Sequence, residues 1–87
     1  MKSTTIKQST RRINIIKGQL DGLAKMIEED KYCVDVLNQS LAIQNSLKSL
    51  DGVILEGHLE THVAEQFKSG DKKAVSELLT LYTRMKK

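Results

Sequence analysis

The chain has 87 residues, with 14 Lys plus Arg against 11 Asp plus Glu, one Cys, two His, three aromatics and no Pro or Trp. A single small domain spanning residues 1–87 is expected, and at this size a lone copy buries only about 60% of its unfolded surface, so association with further copies is expected too. One Cys excludes an internal disulfide framework, three aromatics exclude a β-sandwich or a base-stacking RNA-binding sheet, and no signal peptide or membrane-length apolar run is present, which makes the cytoplasm the expected location.

The first element is set by Ile6, Ile13, Ile16, Leu20, Leu23 and Ile27. After the first heptad they recur in steps of three and four, the stripe of a packed helix, and predict a helix over 5–29. Gly18 and Gly22 interrupt it at a spacing of four. Each costs about 1 kcal/mol relative to Ala in a helix, so a close helix contact is expected there.

Asp30-Lys31-Tyr32 breaks that stripe. A new apolar pattern then runs through Val34, Leu37, Leu41, Leu47, Leu50, Ile54, Leu55, Leu59 and Val63 without a Pro, predicting a second helix over 32–68. Such a rod is roughly 50 Å long, more than a small core can cover, and needs a second copy or a comparably long partner. Ser69-Gly70-Asp71 then supplies a stop and a start, with Gly70 suited to a C-terminal cap and Asp71 to an N-cap. The third helix is expected over 72–85 with Val75, Leu78, Leu79 and Tyr82 inward, giving an all-α chain of three helices.

Besides Met, the residues with soft or borderline metal-ligand character are Cys33, His58 and His62, all on the second helix. At about 100° per residue their spacings return all three to one helix face. Along the axis, however, Cys33 lies roughly 38 Å from His58, so they cannot meet within one straight helix. Two copies packed antiparallel and crossing near Ser46 place Cys33 of one opposite the His pair of the other, giving two identical sites per dimer. Such a Cys-His-His set suits Cu(I), Zn(II), Co(II) or Ni(II), and ligand type alone does not choose among them. A packed Cys beside two solvated histidines fits the same spacing.

Arg12, Gly18-Gln19, the run Glu28-Glu29-Asp30-Lys31-Tyr32-Cys33-Val34-Asp35-Val36-Leu37 and His58-Leu59-Glu60-Thr61-His62-Val63 together resemble the copper-sensitive operon repressor family, the CsoR/RcnR-type regulators. The resemblance spans 12–82. It implies an all-helical, disc-shaped homotetramer assembled from antiparallel homodimers, each dimer a four-helix bundle, that binds double-stranded operator DNA and releases it when its inducer binds. It assigns Cys33 and His58 as metal ligands, with His62 where the copper-responsive branch often has Cys. The nickel and cobalt branches tend to add a ligand from the N-terminal segment, often His, and residues 1–10 contain none. Tyr32 and Glu77 match the Tyr and Glu that couple the site to the rest of the tetramer in copper-responsive members, Glu77 by assuming a one-residue deletion after Asp71. They tilt the choice toward Cu(I).

No helix-turn-helix, zinc-finger or basic-zipper signature is present, so DNA contact is expected from basic side chains spread over an assembly face. The candidates are Lys7, Arg11, Arg12 and Lys17 near the N-terminus and Arg84, Lys86 and Lys87 at the C-terminus. Arg12 matches a family Arg implicated in DNA contact, whereas Gln44 stands where another Arg is usual. No catalytic constellation is legible, and an enzyme is not expected. The competing class is a helical metal-buffering or electrophile-sensing protein that acts through Cys33 without touching DNA. The persulfide-sensing branch needs a second Cys, and the formaldehyde-sensing branch needs a Pro at the position of Lys2; neither is present.

Overall fold

The computed structural model describes residues 1–86, with the side chains of residues 63 and 64 outside the description. Four α-helical segments follow in order: α1 (Ser3–Glu28), α2 (Cys33–His58), α3 (Ala64–Lys68) and α4 (Lys72–Met85), with a π turn at Leu59–Val63 between α2 and α3. The chain is therefore helical without a break from Cys33 to Lys68, and three helical rods result, with no strand among the described residues.

The expected uninterrupted α-helix over 32–68 is thus corrected: its ladder changes step one residue after His58. Three contacts cluster at this point. The Thr61 hydroxyl donates to the Gly57 carbonyl at 2.8 Å, Lys2 Nζ donates to Glu60 Oε2 at 2.9 Å, and Thr5 is buried against the Gly57 backbone.

Both breaks between rods are closed by the same hydrogen-bond pattern, a helix C-terminus ending on a left-handed residue. At the end of α1, Asp30 takes φ 54° while Lys31 N donates to Met26 O and Asp30 N to Ile27 O. At the end of α3, Gly70 takes φ 73° while Asp71 N donates to Gln66 O and Gly70 N to Phe67 O. The Asp71 carboxylate then accepts from the backbone of Lys73 and Ala74, capping α4 as its sequence position suggests.

The core is small. Ile16 of α1 packs on Ile43 and Leu50 of α2, with Leu23 and Ile54 partly buried beside them. The α1 face that meets α2 runs through Thr5, Ser9, Ile16, Gln19, Leu23 and Met26, and Gln39 Nε2 donates across to the Gln19 carbonyl. Ile6, Ile13, Leu20 and Ile27, seven residues apart, form a second apolar seam that this chain leaves exposed.

Two sequence expectations change within the chain. The close helix approach is not at Gly18, which has nothing within 4 Å, nor at Gly22, which meets only the tip of Gln39; it is at Gly57. In α4, Ala74 is buried and Leu78 half-buried, while Val75, Leu79 and Tyr82 are exposed, because α4 packs on α3 through a narrower face than the expected stripe.

The molecule measures 55 × 28 × 13 Å, with a radius of gyration of 17.1 Å. A compact chain of this length would have a radius of about 12 Å. Its 6878 Å² of surface likewise exceeds the about 5,200 Å² expected of a compact protein of this mass.

Candidate metal centre and nucleic-acid interface

His58 is the last residue of α2 and His62 lies in the π turn that follows. Their ring centroids are 5.5 Å apart with planes tilted by 36°, so the spacing expected of a helical i, i+4 pair survives the change of ladder. His58 is half-buried and His62 exposed. Both line a groove of about 480 Å³ whose walls are largely apolar, among them Ile54 and Leu55 of α2 and Leu81 of α4.

The N-terminal turn of α1 holds this end of the rod in place. Gly57 offers no side chain, so Thr5 sits directly on its backbone, and the Lys2–Glu60 ion pair adds a tether one turn further on. Sequence reasoning missed these residues because Thr5 and Gly57 fall outside any apolar stripe. The available signal was a glycine placed immediately before a candidate ligand.

Cys33 stands at the opposite end, as the first residue of α2, exposed and free. With 25 helical steps between it and His58, the thiol and the imidazole pair are about 38 Å apart along the rod. Accordingly, among the described residues no three His, Cys, Asp or Glu side chains of one chain converge on a metal-sized site. One chain presents two imidazoles at one end and a thiol at the other. As a donor set these suit a borderline or soft ion, provided that the third ligand comes from elsewhere.

Tyr32 is the N-cap residue of α2, beside Cys33, and is exposed. Glu77 lies exposed on α4, where it lines a shallow groove with Ser76, Thr80, Leu81 and Arg84. Neither side chain takes part in a hydrogen bond among the described residues.

The basic candidates divide between several surfaces. Lys7 and Arg11, one turn apart on α1, line a shallow groove with Thr10 and Asn14. Arg12 turns to the α1–α2 side, where it lines a separate groove with Asn45, Ser46 and Ser49 of α2. Lys17 is exposed elsewhere on α1, Arg84 lies in the last turn of α4, and Lys86 follows it; Lys87 lies outside the described residues. Among the described residues the ion pairs are Lys2–Glu60, Lys25–Glu29 and Lys31–Glu29, so the described candidate cations are not neutralised within the chain. No helix among the described residues is long and apolar enough to cross a membrane.

Residues 5–84 match the model of a family described as metal-sensitive transcriptional repressor. The chain is 42% identical over 81 residues to the copper-sensing transcriptional repressor CsoR of Bacillus subtilis, an alignment covering 92% of this chain and 80% of that protein. It is 39% identical over 80 residues to the protein of the same name from Mycobacterium tuberculosis H37Rv, covering 90% and 67% respectively. In three dimensions it is similar to the crystal structure of the copper-sensing repressor CsoR with Cu(I) from Geobacillus thermodenitrificans, with a TM-score of 0.88, 31% identity, and 100% of this chain and 92% of that one covered. With the family match extending over nearly its whole length, the chain belongs to the metal-sensitive transcriptional repressors.

Proposed function

We propose that this protein is a Cu(I)-responsive repressor that binds operator DNA without metal and releases it when Cu(I) is held between protomers by Cys33 of one and His58 and His62 of the other. The observation that carries this reading is the placement of the His58–His62 pair at one end of a helical rod whose other end bears a free, exposed thiol. Antiparallel pairing of two rods unites the halves, and symmetry makes two such sites per dimer.

The uncovered surface supports association. The exposed seam of Ile6, Ile13, Leu20 and Ile27 on α1, with Val34, Leu37 and Leu41 on α2, is the apolar area that a four-helix bundle of two chains, and a disc-shaped tetramer of two such dimers, would bury. The excess of surface over a compact monomer is about twice the ~800 Å² that each partner contributes to a standard protein interface.

Copper is favoured by the related repressors, which are named for copper sensing, and by the Cu(I)-bound structural neighbour. A thiolate with two imidazoles satisfies Cu(I) as a three-coordinate ion, whereas Zn(II), Co(II) or Ni(II) requires an added ligand. Bound there, the metal supplies a cross-link between the start of one rod and the end of the other. Tyr32 beside the thiol and Glu77 on α4 are the groups assigned to orient the ligand imidazole and pass the change to α4. Arg12, with Arg11, Lys7, Lys17, Arg84, Lys86 and Lys87, supplies phosphate contacts that position the assembly on DNA.

The test is operator release by the reduced protein, followed by fluorescence anisotropy on its own promoter, with Cu(I), Ni(II), Co(II) and Zn(II) each buffered by a competing chelator. Release by Cu(I) alone is expected. Release by Ni(II) or Co(II) instead would transfer the site to those ions through His62, and retention of DNA under every metal would favour metal buffering or electrophile sensing at Cys33. By linkage, DNA must weaken metal binding by the factor by which metal weakens DNA binding.

A further inference from the structure

The groove beside the histidines is lined by two thioethers that the Cys-His-His set does not use, with the Asp51 carboxylate also at its wall. Of the three methionines in the chain, Met1 and Met85 line the same groove as His58 and His62. They reach it from opposite ends of the sequence. Met1 is brought there by the N-terminal turn, which Thr5 seats on Gly57 and Lys2 ties to Glu60 at 2.9 Å. Met85 is the last residue of α4, one turn beyond Leu81, which lines the same wall.

We propose that the thioethers of Met1 and Met85 join the His58–His62 pair as an entry site that holds Cu(I) within one protomer with four donors, and that the partner's thiolate then replaces both thioethers to give the three-coordinate site. The inference rests on the copper reading above. A thioether is an uncharged, soft ligand that binds Cu(I) well. Two imidazoles alone discriminate weakly between Cu(I) and Zn(II) or Ni(II), so the thioethers would add selectivity that the His pair lacks. The largely apolar walls favour the same ion, because a weakly hydrated monovalent cation loses less on entering them than a hydrated divalent one.

The experiment uses the full-length Cys33→Ser protein with [13C-methyl]methionine, titrated anaerobically with chelator-buffered Cu(I). The Met1 and Met85 methyl resonances are expected to shift at one equivalent per chain, while Met26 serves as the internal control. The second arm is Cu K-edge absorption of Cys33→Ser, in which any sulfur scatterer must be a thioether. A sulfur shell is expected in that variant. It should disappear in Cys33→Ser/Met1→Leu/Met85→Leu, made behind a cleavable tag so that residue 1 need not initiate translation, with Cu(I) affinity weakened by about tenfold or more. Unmoved methyls, or a Cys33→Ser spectrum of nitrogen scatterers alone, overturns the proposal. A wild-type operator complex that ignores Cu(I) overturns the sensor reading separately, and the methyl spectrum still decides the donors.

Discussion

Thr5 rests on the backbone of Gly57: a Cβ placed on that glycine would lie 2.5 Å from Thr5 Oγ1 and 2.8 Å from Thr5 Cγ2. The contact joins the first turn of α1 to the residue preceding His58, so the geometry of the imidazole pair depends on how closely the Thr5 side chain approaches the α2 backbone. Replacing Gly57 by Ala should therefore destabilise the protein despite the better helix propensity of Ala. Overpacking costs about 1–3 kcal/mol, against about 1 kcal/mol gained from propensity. Thr5→Ala in the same chain should recover much of the loss, a coupling that a double-mutant cycle of urea midpoints at fixed protein concentration would measure. Additive effects would mean that the two residues do not touch in solution. Gly18→Ala is the contrasting case: with nothing within 4 Å in the chain, it should stabilise by up to about 1 kcal/mol. A loss there would instead reveal another copy packed against Gly18.

Asp30 is the one non-glycine residue with positive φ among those described, at 54°. An L side chain in the left-handed region costs roughly 1–2 kcal/mol, which Asp reduces by local hydrogen bonding. Asp30→Gly should accordingly raise the melting temperature, by an amount corresponding to about 1 kcal/mol or less. Gly70→Ala, at φ 73° in the equivalent position after α3, should lower it. Thermal unfolding at matched protomer concentration checks both signs.

These two turns also mark how far the sequence could be read. The Ser69-Gly70-Asp71 turn was legible because Gly and Asp each carry a local conformational preference, and Asp71 caps α4 as expected. The rods were legible from periodicity. The π turn was not, since Leu59 and Val63 continue the apolar pattern and the contacts that meet at this point come from a distant part of the chain, at Thr5 and Lys2. On α1 the apolar stripe merged two faces. Ile16 and Leu23 pack on α2, whereas Ile6, Ile13, Leu20 and Ile27 stay uncovered, and the remaining α2-facing positions are filled by Thr5, Ser9, Gln19, Gly22 and Met26, three of them with polar side chains. Hydropathy cannot separate a seam within the chain from one that awaits another copy. The ligands themselves stood out because Cys and His are rare here, with one and two occurrences, but the Met1–Met85 side of the groove depends on the fold.

The roughly 38 Å between Cys33 and His58 makes a complementation test decisive for the proposed shared site. Cys33→Ala alone, and His58→Ala/His62→Ala alone, should each bind operator DNA yet fail to release it with Cu(I). Mixed and allowed to exchange subunits, the two variants form heterodimers in which one intact site is assembled from the good halves of each. Partial Cu(I)-dependent release should return in the mixture, read by anisotropy. A mixture as unresponsive as its components would rule out ligation across protomers.

Arg12 is set apart from the other cations by its neighbours, since it shares a groove with Asn45, Ser46 and Ser49, which can hydrogen-bond a phosphate that the guanidinium neutralises. Lys7 and Arg11 line a different groove, so the two sets need not engage DNA together. A residue that contacts phosphate lowers the slope of log affinity against log salt by about 0.9 for each contact removed, whereas a solvated charge changes it little. Arg12→Ala should therefore flatten the salt dependence of operator binding by about one unit for each copy that touches DNA, with Lys17→Ala as the comparison. Because phosphate contacts carry no sequence information, affinity for unrelated DNA should fall in parallel. Loss confined to the operator would instead mean that Arg12 reads bases, and an unchanged slope would move the interface to the Lys7–Arg11 groove or to the C-terminal cations.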